Sequence, residues 1–462
     1  MKLHFNLTGM FLFCVGLMLW QALFHLTGVV GMVSVCIMLF YLYWQNRLNW
    51  ADGIFATSFL LNLWYVLSSW GHVRQYDYFN FFMHADYFVM HDFFVQSPIS
   101  YLQSVYFQPP LWGLICGAVT KLMMIFGYSK EAGFDFVRFI SLFAISGTGI
   151  IFWRMLDKFE IREKLGLVIF ALFLFLPING IAANLVNNDA MVYFLMLAII
   201  WQSFLWYENS SWQSCFIIGG LLFVGTMIKF SALMVLPAIG VLGLFKLIKS
   251  ENKLSLKLWG QFSFIGLGAV LGFLWGILLL YHHLPLTPPP LNNDFQNMES
   301  YTMLQRMFSF AYVGVPFADV RAGGIEPNVW LTLIKTSLFG EWTWQGIFWA
   351  YLLYGISIVW AVVFVWSLMY LPKLKFGKDY TFNCFFIVLL FSVLVAWINF
   401  WIDYPYFCST EFRYVIILLP MGLLWLASFL SQKSLPKAFD YTFAGFVVLM
   451  IFARIMLYLH TI

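Results

Sequence analysis

The feature that most constrains this chain is the recurrence of apolar runs of about 20 residues, separated by short segments that carry most of its charge. Within a lipid bilayer no water is available to the backbone, so each run must satisfy its own N–H and C=O groups, as a helix does. Hydrophobic residues make up 62% of the chain and charged residues only 10%, whereas soluble domains carry about 25% charged residues. The sequence therefore predicts an all-α polytopic membrane protein and excludes a soluble globular fold.

A span length of ~20 residues for a hydrocarbon core of ~30 Å predicts about 13 transmembrane helices. Their predicted positions are residues 9–27, 28–45, 53–71, 138–156, 165–183, 189–207, 212–228, 231–248, 258–281, 346–370, 382–401, 413–431 and 441–459. The chain then divides into N-terminal helices (1–71), a first external loop (72–137), central helices (138–281), a second external loop (282–345) and C-terminal helices (346–462).

The apolar run 111–127 decides the orientation, because by length alone it could span the membrane. If it crosses, four basic clusters lie outside the cell, against the positive-inside rule; if it does not, all four lie inside. The clusters occupy residues 154–164, 246–257, 373–378 and 433–437. We therefore expect residues 110–127 to form a helix at the external interface, started by the Pro-Pro pair and made amphipathic by Thr120 and Lys121.

The first external loop contains several polar groups that could carry chemistry, between Gln75 and Tyr87. Asp77 or Asp86 could act as a general base that removes a proton from an incoming nucleophile, with His84 and Tyr87 positioning the substrates. Asp77 is the first choice for the general base. The alternative is an ordinary solvated loop, which the many surrounding aromatic residues make less attractive.

A stiff corner follows, because Gln108 precedes Pro109 and Pro110, which fix their own φ angles and restrict the residue before each. The corner could hold the loop over a site, with Gln108 touching substrate, or could simply start a helix. At the next external turn, Asn188 and Asp189 could face the same site and help to hold a divalent ion or an acceptor group. They could equally cap the following helix, whose dipole stabilises a carboxylate.

Two isolated cations, Lys229 and Arg413, lie at predicted external ends of spans, where the positive-inside rule gives them no role. An ammonium and a guanidinium at this depth suit a lipid-linked phosphate, one as a point charge and the other as a fork. Each could instead snorkel to the interface or pair with an acid, Arg413 with Glu411 for example. Glu341, in the second external loop, is a weaker candidate for substrate binding.

Cofactor and nucleic-acid sites have little support in the sequence. The pair His282-His283 lacks a third ligand at the usual spacing, and no convincing nucleotide or serine-hydrolase motif occurs. The sequence predicts no cofactor, and it leaves open whether the protein binds a divalent metal ion. The net charge of +4 is dispersed between the apolar runs, so the lipid bilayer is an expected partner and nucleic acid is not.

The order of these features resembles the membrane-embedded glycosyltransferases of the GT-C superfamily, and more closely the bacterial relatives of the protein O-mannosyltransferases and of the aminoarabinose transferase. The matching residues, which run from about 70 to 420, are Asp77, Gln108-Pro109-Pro110-Leu111, Asn188-Asp189, Lys229 and Arg413-Tyr414 with Pro420. The family often has Asp-Glu where this chain has Asp77-Tyr78, and His where it has Gln108. These departures keep both Asp77 and Asp86 open as the base.

The resemblance implies a GT-C fold with interfacial helices in the first external loop. It also implies transfer of a sugar, with inversion, from a polyprenyl-phosphate carrier to an external acceptor, which could be a protein, a lipid or a glycan. Asp77 would be the base, and Lys229 and Arg413 would hold the carrier phosphate. The abundance of Phe, and of Lys relative to Arg, favours a bacterial plasma membrane, with the endoplasmic reticulum as the other location. The alternative function is a transporter or flippase of lipid-linked saccharides, which would usually place its polar groups near the bilayer midplane.

Overall fold

A computed structural model describes residues 15–16, 49–69, 75, 77–90, 109–250, 255–281, 297–318, 326–370, 380–432 and 437–461. The predicted span 28–45, all of the predicted span 9–27 except residues 15 and 16, Gln108 and the pair His282-His283 lie outside the described residues.

The described ranges are almost entirely helical and contain no strand, apart from one isolated bridge between Asn297 and Tyr406. The α-helices are α1 (Trp50–Ser68), α2 (Tyr78–Met90), α3 (Leu111–Ile125), α4 (Lys130–Asp135), α5 (Val137–Lys158), α6 (Glu163–Phe175), α7 (Pro177–Ala183), α8 (Asp189–Asn209), α9 (Trp212–Ile228), α10 (Leu236–Lys249), α11 (Leu256–Tyr281), α12 (Met303–Phe308), α13 (Val329–Phe339), α14 (Ile347–Leu368), α15 (Tyr380–Asp403), α16 (Leu418–Gln432) and α17 (Lys437–Thr461). Short 3-10 helices cover Phe230–Val235, Phe407–Thr410 and Phe412–Tyr414.

Seven helices among the described residues are long and apolar enough to cross a membrane, and an eighth is added if the bent pair α6–α7 is one span. The chain is thus an all-α membrane protein. The number of spans, about 13, stays a prediction.

Three predicted spans differ from the helices observed. One is 231–248, which starts as the 3-10 helix Phe230–Val235 and becomes α-helical at Leu236. The predicted span 165–183 is two helices that meet at an angle of 48° at Leu176, because Pro177 has no N–H to continue the first one. The predicted span 413–431 starts as 3-10 turns and becomes α-helical only at Leu418.

Helix α3 corresponds to the predicted interfacial helix and has 15 residues. At 1.5 Å per residue it is about 22 Å long, shorter than a hydrocarbon core of ~30 Å. It packs against α2 and α4. The prediction that Thr120 belongs to a polar face of this helix is wrong. Thr120 is buried and donates a hydrogen bond to the carbonyl of Cys116 at 2.8 Å. Its location at the membrane surface stays a prediction.

Lys158 and Lys249, which belong to two of the four predicted basic clusters, lie at the same end of the helices. The cluster at residues 373–378 and Lys433 lie outside the described residues. Lys158 pairs with Glu208 at 2.5 Å, near the carboxyl end of α8. Lys249 donates to the hydroxyl of the neighbouring Tyr207 at 3.2 Å. Asp189 begins the same helix α8, whose 21 residues extend about 31 Å. The basic end and the end that carries Asp189 are therefore separated by roughly the thickness of a bilayer.

The bend between α6 and α7 is held by a buried arginine. Arg454 of α17 is inaccessible to solvent and donates to the Phe175 carbonyl at 3.1 Å, to Asn62 Oδ1 at 2.7 Å and to the Tyr458 hydroxyl at 3.0 Å. Because α6 ends at Phe175, this carbonyl lies in the turn whose acceptors a continuing helix would have satisfied. The arginine supplies a donor in place of the interrupted helix.

Gly180→Ala is expected to destabilise the protein, because a Cβ at this position would overlap Arg454 Nη2 and the Tyr458 hydroxyl. Overpacking of this kind costs about 1–3 kcal/mol. The matched control is Gly240→Ala, also in a helix, where a Cβ meets nothing within 4 Å and where alanine should stabilise by about 0.5–1 kcal/mol. Thermal unfolding in detergent compares the two, and equal midpoints would contradict the role given to this contact.

Candidate active site

Gln75 connects the segment before α2 to the turn between α7 and α8. Its side-chain amide donates to the Asn184 carbonyl at 2.9 Å and accepts from the Val186 N–H at 2.9 Å. Trp112 of α3 donates to the Val186 carbonyl at 2.9 Å. Helix α3, which follows the Pro-Pro corner, is therefore bonded to the same turn. These bonds fix Asp77, which lies just after Gln75 in the chain, beside the turn that leads to Asp189.

The guanidinium of Arg413 is the centre of the site. Its Nη1 lies 2.9 Å from Asp77 Oδ2 and 3.6 Å from Asp189 Oδ2. Its Nε lies 3.0 Å from Glu411 Oε2, and its Nη2 lies 3.9 Å from Glu341 Oε1. One cation therefore gathers carboxylates from four separate segments of the chain.

Lys229 reaches the same cluster from a break between helices. Helix α9 ends at Ile228, and Lys229 has an extended backbone (φ −161°, ψ 132°) before the 3-10 helix begins. Asn188 donates to the Ile228 carbonyl at 3.0 Å and so holds the break against the start of α8. The lysine ammonium forms an ion pair with Asp189 and lies 5.2 Å from the ring centre of Tyr414. Asp189 is thus shared by both cations.

Local backbone structure explains why these side chains converge. Asn187 accepts a hydrogen bond from the Asp189 N–H at 3.1 Å, which starts α8 with its carboxylate at the helix amino terminus. Thr336 of α13 accepts from the Phe412 N–H at 2.9 Å and anchors the segment that carries Arg413. Gly340 ends α13 with a positive φ of 62°, which turns the chain so that Glu341 comes back towards the cluster.

A cleft opens beside Arg413 and contains about 580 Å³ of empty space, part of it open to solvent. Its polar wall includes Asp77, Glu341, Glu411 and Arg413, and its apolar wall includes Tyr65, Trp342 and Trp344. The rings of Tyr65 and Trp344 are nearly parallel, with centres 6.0 Å apart. Aromatic faces next to charged groups suit a ligand that is apolar on one side and polar on the other.

The charges of the cluster do not balance when every group is ionised, since four carboxylates face two cations. Burial raises the pKa of Glu411 well above its usual value, although Arg413 beside it acts in the opposite direction. Glu411 and Glu341 also hydrogen-bond to each other. Burial and the contact with Glu341 thus both disfavour the ionised form of Glu411, whereas Arg413 favours it.

Three residues of the predicted site lie on α2 but away from Arg413. Asp86 pairs with Lys130 of α4 at 2.5 Å, and both side chains are about one-third exposed, at 32% and 31%. Tyr87 is buried, with its ring edge-on to Phe88. The structure does not bring these residues to the cleft.

His84 is also buried, with its ring against the backbone of α3 at Gly113. Loss of hydration lowers the pKa of His84 from 6.5 to about 4. The ring is therefore neutral at physiological pH, and its position makes it a packing contact between α2 and α3.

No metal-binding arrangement occurs in the part of the chain that the structure describes: no three His, Cys, Asp or Glu side chains are placed to hold an ion together. The carboxylates of the cluster point at Arg413 and Lys229 instead.

Sequence reasoning missed Gln75 as a site-building residue and treated Glu411 only as a partner for Arg413. Gln75 gives no signal in the sequence, because its role depends on backbone groups of residues 184 and 186 that are distant in the chain. Glu411 did give a signal, since it lies two residues before an isolated arginine in an otherwise apolar segment.

No protein-family model matches this chain, and no curated protein sequence matches it. Its function must therefore be inferred from the residues around Arg413 and the cleft beside them.

The neutral, buried state of His84 predicts a loss of stability in acid. Between pH 6.5 and about 4 the unfolded chain binds a proton at this residue and the folded chain does not, so stability falls as the pH drops through this window. The full effect is on the order of 3 kcal/mol. Unfolding midpoints at pH 7.5 and 5 should differ less in His84→Leu than in the wild type, and equal pH dependence would contradict the burial argument.

Proposed function

We propose that this protein is an integral membrane glycosyltransferase that moves a sugar from a polyprenyl-phosphate carrier to an acceptor at the membrane surface. The observation that carries the proposal is the meeting of Asp77 and Arg413 at one cleft, with Lys229 joined to Arg413 through the carboxylate of Asp189. A carboxylate able to accept a proton and two cations able to hold a phosphate are the groups that this reaction needs. A GT-C fold with about 13 spans is part of the proposal.

The reaction requires a base and a stabilised leaving group. An acceptor hydroxyl gives its proton to Asp77, and its oxygen attacks the anomeric carbon of the sugar from the face opposite the phosphate. The bond between the anomeric carbon and the phosphate oxygen breaks, and its electron pair leaves with the carrier phosphate. Arg413 and Lys229 face the charge that develops on that phosphate, which is where fixed cations lower a barrier most. Attack from the opposite face inverts the anomeric configuration.

The cleft offers separate surfaces for the other parts of the substrates. The partly buried Trp342 provides an apolar surface for a sugar ring, and Glu341 can accept hydrogen bonds from its hydroxyl groups. We place the cleft on the external side of a bacterial plasma membrane, because Lys158 and Lys249 lie at the other end of the helices and basic residues favour the cytoplasm.

A flippase for lipid-linked saccharides is a weaker proposal. Such transporters usually place their binding groups near the bilayer midplane, whereas Asp189 and Lys229 meet at helix ends. Protein in lipid vesicles with a radiolabelled polyprenyl-phosphate sugar separates the two functions. A transferase releases free carrier phosphate when an acceptor is present, and a flippase moves intact donor across the bilayer.

Asp77→Asn is expected to reduce sugar transfer at least 100-fold, since general-base catalysis contributes roughly 10²–10⁴-fold. Asp86→Asn is the matched control, because Asp86 lies on the helix that follows Asp77 and has its own cationic partner, Lys130. An exposed pair of this kind contributes ~0–1 kcal/mol, so its loss should leave transfer within about twofold. Loss of activity in Asp86→Asn with activity retained in Asp77→Asn would assign the base to Asp86.

Lys229→Met is expected to raise the Michaelis constant for the donor about tenfold or more, because a hydrogen bond to a charged group contributes roughly 1.5–3 kcal/mol. Asp189 keeps Arg413 as a partner at 3.6 Å in this variant, so the fold should survive. Lys130→Met removes a lysine outside the cluster and should change the constant less than twofold. Initial rates at varied donor concentration measure both, and an unchanged constant in Lys229→Met would remove Lys229 from donor binding.

A further inference from the structure

Among the described residues, carboxylates surround the Arg413 guanidinium, and the one that accepts a close hydrogen bond from it is Asp77. Asp77, Asp189, Glu411 and Glu341 lie around its three nitrogens at distances between 2.9 and 3.9 Å. A phosphate could form the two-point contact that a guanidinium favours only by taking the place of one of these carboxylates.

Asp77 is the partner that can leave. Its side chain is 39% exposed, compared with 9% for Asp189, 9% for Glu341 and 7% for Glu411. A carboxylate that is already partly hydrated loses less when its ion pair opens, because water replaces the lost partner.

The other three carboxylates are held in place. Asp189 has Lys229 as a second cation, and its backbone N–H is bonded to Asn187. Glu341 and Glu411 bond to each other and are shielded from water. Displacing Asp77 from Nη1 therefore costs an incoming anion less free energy than displacing any of the other three carboxylates.

We propose that the carrier phosphate displaces Asp77 from Arg413, so that binding of the donor itself releases the base. This inference rests on the proposed function. Before the donor binds, the Asp77 carboxylate is neutralised by the guanidinium and is poorly placed to take a proton from an acceptor. After displacement it lies beside the phosphate-linked sugar with both oxygens available. The donor must then bind before the acceptor can be activated.

The proposal predicts that removing the charge of Asp77 strengthens anion binding. The probe is farnesyl phosphate, titrated into the full-length protein in detergent micelles and followed by calorimetry, with farnesol as the blank that lacks the phosphate. Asp77→Asn should bind farnesyl phosphate roughly tenfold more tightly than the wild type, a change that corresponds to about 1.4 kcal/mol. The same variant should fail to transfer sugar.

Glu341→Gln is the matched control, because it also removes one carboxylate from the surroundings of Arg413. A general electrostatic effect would strengthen binding equally in both variants, whereas displacement predicts less than a threefold change in Glu341→Gln. Equal strengthening in both, or binding in Asp77→Asn no tighter than in the wild type, would overturn the proposal. Thermal unfolding of each variant checks that the fold is retained.

The outcomes also separate this inference from the proposed function. Binding of farnesyl phosphate by the wild type without strengthening in Asp77→Asn would reject displacement and leave a lipid-phosphate site in place. Binding no stronger than that of farnesol in all three proteins would reject the lipid-phosphate site, and displacement with it.

Discussion

A single guanidinium organises the end of the molecule where the candidate site lies. Arg413 faces carboxylates from the segment before α2, from the start of α8, from the loop after α13 and from its own loop. Buried charges are costly unless they are paired, and removal of one partner leaves the others unsatisfied. The relative positions of these four segments therefore depend on one side chain.

Neutral hydrogen bonds complete this arrangement. Gln75 and Trp112 both hydrogen-bond to the backbone around Val186, so the segment before α2 and helix α3 meet at the same turn. Arg454 performs a comparable task deeper in the protein, where it satisfies a carbonyl at the bend before α7. In each case a polar side chain satisfies a backbone group that a regular helix would have satisfied, which keeps irregular backbone stable among apolar helices.

The helices could be predicted from the sequence because span length is a strong physical constraint. The bounds of α8, α9 and α15 lie within two residues of the predicted spans at each end. The bend at Leu176 was not predicted, although Pro177 signals it, because the apolar run continues through the proline. The mean hydropathy of a run depends on its side chains, so it does not detect the missing backbone N–H of a proline.

The candidate site was partly predictable for a related reason. Charged residues at the ends of apolar runs are conspicuous, and Asp77, Asp189, Lys229, Arg413 and Glu341 all meet in the structure. Asp86 does not, because it lies nine residues beyond Asp77, within α2, and pairs with Lys130 of α4. Which loops meet across hundreds of residues depends on helix packing, and short motifs carry no information about it.

The length of α9 has a consequence for the proposed substrate. Its 17 residues rise about 25 Å before Lys229, which is several ångströms less than the ~30 Å of bilayer hydrocarbon. In the proposed function, a carrier phosphate at Lys229 would lie slightly beneath the headgroups, with its isoprenoid among the acyl chains. Each methylene pulled into water would cost about 0.8 kcal/mol. A lysine at this depth would let the carrier react without leaving the lipid.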